Sequence, residues 1–387
     1  MKVLVCNAGS TSLKLKLYDM DDESLLVESR MERIGEDREG RFIFRSRGTS
    51  SEEYIKIGSY DEGLGHFLGR LDPALRNGID AVGFKTVLSK GFPGDYVIDE
   101  AVKKGMHDYM SVAPVHNTCY LQVIEAFERI MPDVVRVGTF ETAFHQTLEE
   151  EAYVYPLPYE WKDKYGVRRF GYHGASHYYQ SLRLNELLGE RYRAVSCHLG
   201  GSSSLAAIVD GTCRETSFGL SLQTGVPQGS RIGDIDPFVI FYLLENTGYS
   251  EEKLKKILEK ESGLKGISGV SGDMRDIEKE ANSGNERAML AMKIYSREIA
   301  RYIGGYAALM GGLDAITFTA GVGENSSTIR KMVTDHFSYM GLELDEKKNL
   351  ENDMCISSPD SAIKVFVIPA DEEIVVARRT VKVLAGD

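Results

Sequence analysis

Met1-Lys2-Val3-Leu4-Val5-Cys6-Asn7-Ala8-Gly9-Ser10-Thr11-Ser12-Leu13-Lys14-Leu15-Lys16-Leu17 is the stretch whose reading decides the fold. An apolar run, Val3 to Cys6, ends in a small polar turn, Asn7 to Ser12. From Leu13 to Leu17 apolar and charged residues alternate, the period of a strand with one buried face. The stretch therefore predicts strand, tight turn, strand. The turn offers hydroxyls, an amide and Gly9, where backbone can approach a ligand closely. Such a turn can cradle a phosphate with donors and carry no formal charge of its own.

The pattern returns in the second half. Cys6 to Leu13 aligns with Cys197-His198-Leu199-Gly200-Gly201-Ser202-Ser203-Ser204-Leu205 when one residue is inserted, and apolar runs flank both. One reading is an internal duplication, two similar lobes gripping one nucleotide. The other is two unrelated Ser/Gly hairpins.

The chain has 387 residues, more than one ordinary core and suited to two domains. Hydrophobic content is 42% and charged content 27%, an ordinary soluble composition. A net charge of -12 argues against a nucleic-acid surface. The five Cys form no Cys-x-x-Cys pair, which suits reduced thiols and not a disulfide framework or zinc site. The chain enters a strand without a signal-peptide-like apolar region, and its most apolar stretch, residues 302–323, reads as a buried helix followed by a strand. The expectation is a cytoplasmic protein with no membrane and no nucleic-acid partner.

Further along, residues 24–58 read as short strands, 61–71 as helix and 79–87 as a buried strand. Residues 100–131 read as two helices broken at Ala113-Pro114, and 134–140 as a strand. A Tyr- and Pro-rich passage at 150–172 is the expected connection between domains, followed by helix at 178–190. Residues 216–236 are too irregular for an element and too long for a plain turn, the mark of a functional or mobile loop. Helices are expected within 237–262 and 275–311, a strand at 315–319, a turn at 321–325 leading into a helix, a strand at 364–368 and a helix at 372–384. Strands first, then alternating helices and strands, predict an α/β fold with mixed sheets flanked by helices.

No Gly-x-x-x-x-Gly-Lys-Ser/Thr is present, which excludes a P-loop enzyme. Gly321-x-Gly323 lacks the third Gly of a dinucleotide fingerprint. His173 and His177 stand four apart, but Gly174 replaces the Glu that a metalloprotease helix needs beside its first His. What remains suits phosphoryl transfer, which requires phosphate-cradling turns, cations on the transferring group and acids for magnesium. The turns are 7–12, 198–204 and 321–325. Arg231, flanked by Gly229 and Gly233, is either a cation reaching into a cleft or an ordinary surface Arg. His173 lies between glycines, as ligand-facing histidines do. Glu141 follows a strand end, where α/β sites gather, and Glu372 opens the last helix; either acid could instead complement a helix dipole.

Together the motifs resemble the acetate kinase family. The matching pieces are Asn7 to Ser12, Glu141-Thr142-Ala143-Phe144-His145-Gln146, Tyr172-His173-Gly174-Ala175-Ser176-His177 and His198-Leu199-Gly200. Gly229-Ser230-Arg231-Ile232-Gly233-Asp234-Ile235-Asp236-Pro237 and Gly321-Val322-Gly323-Glu324-Asn325-Ser326 complete the set, in family order across nearly the whole chain. The resemblance implies two duplicated actin-like, RNase H-like lobes around a central nucleotide cleft. They would be 1–150 with the C-terminal helix 371–387, and a nucleotide-binding lobe 151–370. It also implies a homodimer, Mg2+ or Mn2+, ATP, and reversible phosphorylation of a short carboxylate. By the same resemblance Asn7, Ser10, Ser12, Lys14, His198, Gly200 and Gly201 would bind phosphate and nucleotide. Asp273, Met274, Arg275, Gly321, Gly323, Glu324 and Asn325 would surround the adenosine. Arg231, His173, Lys85 and Glu141 would be catalytic, Asn7 and Glu372 would serve the metal, and Val87, Val115, Tyr172 and Leu222 would line the acyl pocket.

Departures gather at the acyl and metal positions. The family usually has Gly-His-Arg-Val-Val-His-Gly-Gly where this chain has Gly83-Phe84-Lys85-Thr86-Val87-Leu88-Ser89-Lys90. Lys85 keeps the charge of the usual Arg but loses its planar bidentate fork. Glu141 stands for Asp, Gly201 for Asn, Leu222 for Pro and Val115 for Leu. Three functions follow as expectations: an acetate kinase, a kinase for another small acid, or a catalytically weak ATP-binding homologue.

Overall fold

In the computed structural model, which describes residues 1–46 and 48–386, the opening stretch forms β1 (Lys2–Gly9) and β2 (Ser12–Asp19), paired antiparallel. Gly9 faces Ser12, so Ser10-Thr11 is a two-residue turn. Leu13, Leu15 and Leu17 are fully buried, and Lys14 and Lys16 lie on the opposite face.

The described residues divide into two units, Met1–Gln146 with the chain from Asp371 onward, and Thr147–Ala370. In the first, β3 (Ser24–Glu32), β4 (Gly40–Ser46) and β5 (Thr49–Ile55) extend the meander. On the other side of β1 come β6 (Ala81–Thr86), then β8 (Val135–Phe140), with β7 (Asp95–Val97) at the edge. The order is β5-β4-β3-β2-β1-β6-β8-β7, and β6 runs parallel to both β1 and β8.

The second unit holds β9 (Arg193–Leu199), β10 (Ser203–Val209), β11 (Thr212–Thr216), β12 (Ala315–Thr319) and β13 (Lys364–Val367). Their order, β11-β10-β9-β12-β13, repeats β3-β2-β1-β6-β8 strand for strand. Each set is an antiparallel meander followed by two parallel strands. The same topology built twice decides for duplication: two RNase H-like lobes. The inserted residue falls in the second turn. There Leu199 faces Ser203, leaving Gly200-Gly201-Ser202.

Helices cover these sheets because the parallel strands are apolar on both faces. In the first unit the helix Glu372–Ala385 lies on β1, β6 and β8. Gly83 permits this, since a Cβ there would come 2.3 Å from Thr380 Oγ1. In the second unit the long helix Glu286–Leu309 crosses β9 and β10, and its Tyr295, Ile299 and Ile303 enter a core with Val195, Leu205 and Phe318.

Two expectations are corrected. The helix expected at 178–190 begins at Gly174, so His173 is its N-cap residue. The turn expected at 321–325 is a short helix, Ala320–Asn325, because the Glu324 carboxylate folds back to accept from Ala320 N at 2.8 Å. The passage at 150–172 contains two short helices, Glu150–Tyr153 and Glu160–Tyr165. Strands β7 and β11 went unforeseen because such short edge strands carry no apolar period. The break at Ala113-Pro114 stands, with Pro114 opening the helix Pro114–Ile130, where its missing N–H costs nothing. None of the described helices is long and apolar enough to cross a membrane.

Candidate active site

In the first unit the chemistry gathers where β6, β8 and the C-terminal helix meet. Lys85 rises from β6, Glu141 follows β8, and Glu372 opens the helix. Lys85 Nζ lies 3.0 Å from Glu141 Oε1 and donates to Glu372. Its side chain is only 13% exposed. Burial opposes the charge, but the two carboxylates outweigh it and hold the ammonium pKa well above its usual value. Lys85 is therefore a cation held between two acids.

Glu373, the next residue, faces different partners. Its carboxylate lies 2.8 Å from Lys14 Nζ and 3.3 Å from Lys16 Nζ, the two lysines on the outer face of β2. Asn7 Nδ2 is 3.4 Å from Glu373 Oε1, and Tyr120 donates to Asn7 Oδ1 at 3.4 Å. Burial would raise the Glu373 pKa, but Lys14 and Lys16 prevail and hold it at about 2 against an ordinary 4.5. A depressed carboxylate contributes stability that is full above pH 4.5 and lost as pH falls through about 2. The contribution is about 3 kcal/mol. We expect Glu373→Gln to lower stability at pH 7 by a similar amount and to flatten the acid limb between pH 4.5 and 2. Urea unfolding across that range checks this; an unchanged acid limb would count against it.

Ser10 lines a separate cavity of about 330 Å³ with Ser59, Tyr60 and Arg129. Ser12 begins β2. Val87 is buried, whereas Val115 is 51% exposed. Phe84 and Leu88 are core residues: Phe84 packs edge-on against Phe127 at 5.2 Å, and the Leu88 carbonyl accepts from Asn117.

No group of three His, Cys, Asp or Glu side chains placed to hold a metal occurs among the described residues. Magnesium takes oxygen ligands and is commonly held by one or two protein oxygens together with phosphates and water. The Glu372 carboxylate and the Asn7 amide are donors of the right hardness.

In the second unit Gly200, Gly201, Asp273, Met274, Arg275, Gly321 and Asn325 all line one cavity of about 830 Å³. They come from the C-terminal ends of β9 and β12 and the start of the helix Met274–Asn282, the usual place for α/β ligand sites. Glycines make it possible: a Cβ on Gly229 would sit 2.8 Å from the Gly272 carbonyl oxygen. Asp273 caps its helix and pairs with Arg275. Leu264, Glu278 and Ser326 also line the cavity and went unforeseen. Gly323 packs against Phe318 beneath it. Glu324 is turned away to bind the backbone N–H groups of Ala320 and Ala370.

Arg231 sits in the segment 217–236, which is irregular yet tied down. Gly229 N bonds to the Gly201 carbonyl, Leu264 N to that of Gln228, and Asp234 N to that of Gly225. The Arg231 guanidinium donates to Ser202 Oγ at 3.2 Å and Gln228 Oε1 at 3.3 Å, both neutral. Burial lowers its pKa, with Glu259 opposing. A partly desolvated cation of this kind favours an anion more strongly than one in water. Ser202 belongs to the turn after β9, so Arg231 is anchored to that turn itself.

His173 has a left-handed backbone, φ 57°, uncommon for a residue other than glycine and a feature that collects at functional sites. Its Nδ1 is 2.8 Å from Ser204 Oγ, and its ring stacks on His198 at 4.0 Å. Tyr172 is buried and donates to the Leu220 carbonyl at 2.6 Å, and the Leu222 carbonyl accepts from Gln228. Glu373 and Gln228 went unforeseen, since each is brought in by tertiary packing, and the contacts of Ser176, Ser202 and Ser204 could not be read from the motifs that contain them.

Two copies of the RNase H-like sheet, each with a Gly/Ser turn after its first strand, define an actin-like phosphotransferase fold. A profile of the acetokinase family matches residues 2–378. The chain is 42% identical to the acetate kinase of Dictyoglomus thermophilum over 398 aligned positions, covering 99% of each. The crystal structure of the Porphyromonas gingivalis acetate kinase superposes with a TM-score of 0.88 at 37% identity, covering 99% of both chains. That of a propionate kinase from Francisella tularensis gives 0.91 at 32% identity, covering 98% of both. The chain belongs to the acetokinase family, phosphotransferases with a carboxyl group as acceptor.

Proposed function

We propose that this chain phosphorylates acetate reversibly, using ATP and Mg2+ (or Mn2+) and forming acetyl phosphate, in the cytoplasm. The observation that carries the reading is the glycine-lined cavity with Arg231 anchored to the turn beside it, in a chain that matches acetate kinases over its full length. In this reading Gly200, Gly201, Asp273, Met274, Arg275, Gly321 and Asn325 hold the nucleotide. Asn7, Ser10, Ser12, Lys14 and His198 contact phosphates, while Gly323 and Glu324 shape the loop without touching the ligand. A carboxylate oxygen attacks the γ-phosphorus as the bond to ADP breaks. Arg231 and His173 donate to the equatorial oxygens, where charge is spread. Lys85, held by Glu141 and Glu372, adds positive potential. Bound magnesium, held by Glu372 and Asn7, would neutralise developing phosphate charge. Val87, Val115, Tyr172 and Leu222 are the proposed acyl-pocket residues.

A kinase for a longer acid is the second reading, favoured by the propionate kinase likeness and by Leu222. Acyl phosphate formed from ATP and Mg2+ and trapped with hydroxylamine, across acetate, propionate, butyrate and a blank, separates the two. Acetate leading in kcat/KM supports the first reading, and another acid leading makes Leu222 a specificity residue. ATP binding without turnover on any acid would mean a catalytically weak homologue.

The proposal includes a homodimer. In the second unit the helix Phe238–Thr247 has no buried residue, and Phe238 and Tyr242 are 72% and 66% exposed beside Phe241 and Ile235. An apolar patch of this kind suits a second copy of the chain. We expect Phe238→Asp/Phe241→Asp to sediment as a monomer and the parent as a dimer; a monomeric parent would refute this.

A further inference from the structure

Gln228 lies in the irregular segment that carries Arg231, and it is fully buried. Three groups meet its amide. Nε2 donates to the Leu222 carbonyl at 2.7 Å. Oε1 lies 2.8 Å from Ser202 Oγ and 3.3 Å from Arg231 Nη1. Two of these partners fix which end of the amide is which, because a guanidinium only donates and a carbonyl only accepts. A flipped amide would set its NH2 against the guanidinium and its oxygen against the Leu222 carbonyl. Ser202 completes the set. Its Oγ accepts from Arg231 at 3.2 Å and gives its own proton to Gln228 Oε1. Hydroxyl, guanidinium and amide form a closed triangle in which every donor has an acceptor.

The backbone of Gln228 is held as well. Its N–H donates to the Arg231 carbonyl at 3.1 Å, and its own carbonyl accepts from Leu264 N at 2.8 Å. Gly263 lets the neighbouring segment come this close: a Cβ there would lie 2.2 Å from the Gln228 carbonyl oxygen and 2.4 Å from that of Arg231. The neutrality of the side chain matters too. A carboxylate at this point would pair with Arg231 and cancel its charge inside the protein. An amide holds the guanidinium by a hydrogen bond and leaves the charge to act on an incoming anion.

We propose that Gln228 is a positioning residue that fixes Arg231 and the Leu222 backbone relative to each other without neutralising Arg231. This rests on the reading of Arg231 as a donor to the transferring phosphoryl and of Leu222 as an acyl-pocket residue. One buried amide then ties the cation to the segment that receives the acid. Gln228 touches neither the phosphoryl group nor the acid in this reading. It acts through the two residues that do.

Gln228→Glu and Gln228→Met test this in the full-length protein. Glu keeps the shape but presents a carboxylate to Arg231, so kcat should fall about a hundredfold with little change in the KM for ATP. Met keeps the approximate volume and loses both hydrogen bonds. There kcat should fall about fivefold, and the KM for the acid should rise by a similar factor as the Leu222 carbonyl loses its donor. In an Arg231→Ala background Gln228→Glu should lower kcat by about twofold at most, because the cation it acts through is gone. A purely structural role gives the opposite pattern, with losses that multiply and both KM values moving together. Multiplying losses, or a parental kcat in Gln228→Glu, overturn the proposal. If Gln228→Glu does not fold, Gln228→Met decides: an unchanged kcat and acid KM would overturn the proposal equally. The side-chain amide signals of ¹⁵N-glutamine-labelled protein, read without substrate, keep this result apart from the choice of reaction. The Gln228 signals should shift in Arg231→Ala, and unshifted signals would mean that the two side chains are not joined. A shift in a protein inactive on every acid would refute the proposed function and leave the hydrogen-bonded contact standing.

Discussion

Arg231→Ala is expected to lower kcat about a hundred- to a thousandfold, the scale of one transition-state donor, while ATP binding changes little. The cause is the position of the guanidinium. It is desolvated and hydrogen-bonded to the neutral Ser202 and Gln228, so its charge answers to an incoming anion. The lining of the cavity proposed for the nucleotide, by contrast, is built from Gly200, Asp273, Gly321 and their neighbours. Steady-state kinetics beside calorimetric ATP titration separate the two effects. Equal, small losses in kcat and affinity would reduce Arg231 to a binding contact.

The second large effect is expected at Lys85. Lys85→Met removes the ammonium that meets both Glu141 and Glu372. Removing one partner from a buried ionic group costs about 3–5 kcal/mol. At the stability-to-temperature ratio of a unit this size, that is a fall in Tm of roughly 10 °C. Activity should fall by about a hundredfold as positive potential is lost. Mg2+ should recover part of the lost Tm in the variant, since a cation between the two carboxylates replaces the missing ammonium. Scanning calorimetry with and without Mg2+ measures this. A Tm equal to that of the parent would mean that the three side chains do not form the cluster described.

Lys85 also shows how far the sequence could be read. Its replacement of the usual Arg was legible at once and pointed to a weakened substrate contact. That its ammonium is engaged by Glu141 and Glu372 was not, because the three residues lie on separate elements. Phe84 and Leu88 read as pocket changes in one dimension and are core residues in three. Glu324 fell within a motif expected at the nucleotide, yet its carboxylate closes its own helical turn. His177 was weighed as half of a zinc pair and set aside. Its partners, Ser196 and Ser204, lie on adjacent strands that no local spacing connects to it.

The sequence by itself determined what depends on near neighbours. The alternation at 13–17, the recurring Gly/Ser turn, the break at Ala113-Pro114 and the ordered motifs were enough for strand, hairpin, helix end and family. These follow from side-chain period and backbone conformational preference, which act over a few residues. Only the tertiary structure decided which charges compensate one another, which carboxylates are committed, and which hydroxyl joins two histidines. Those outcomes depend on burial and on distances between elements far apart in the chain. Inside a low-dielectric core a few ångströms decide whether a charged or polar group is held or left costly.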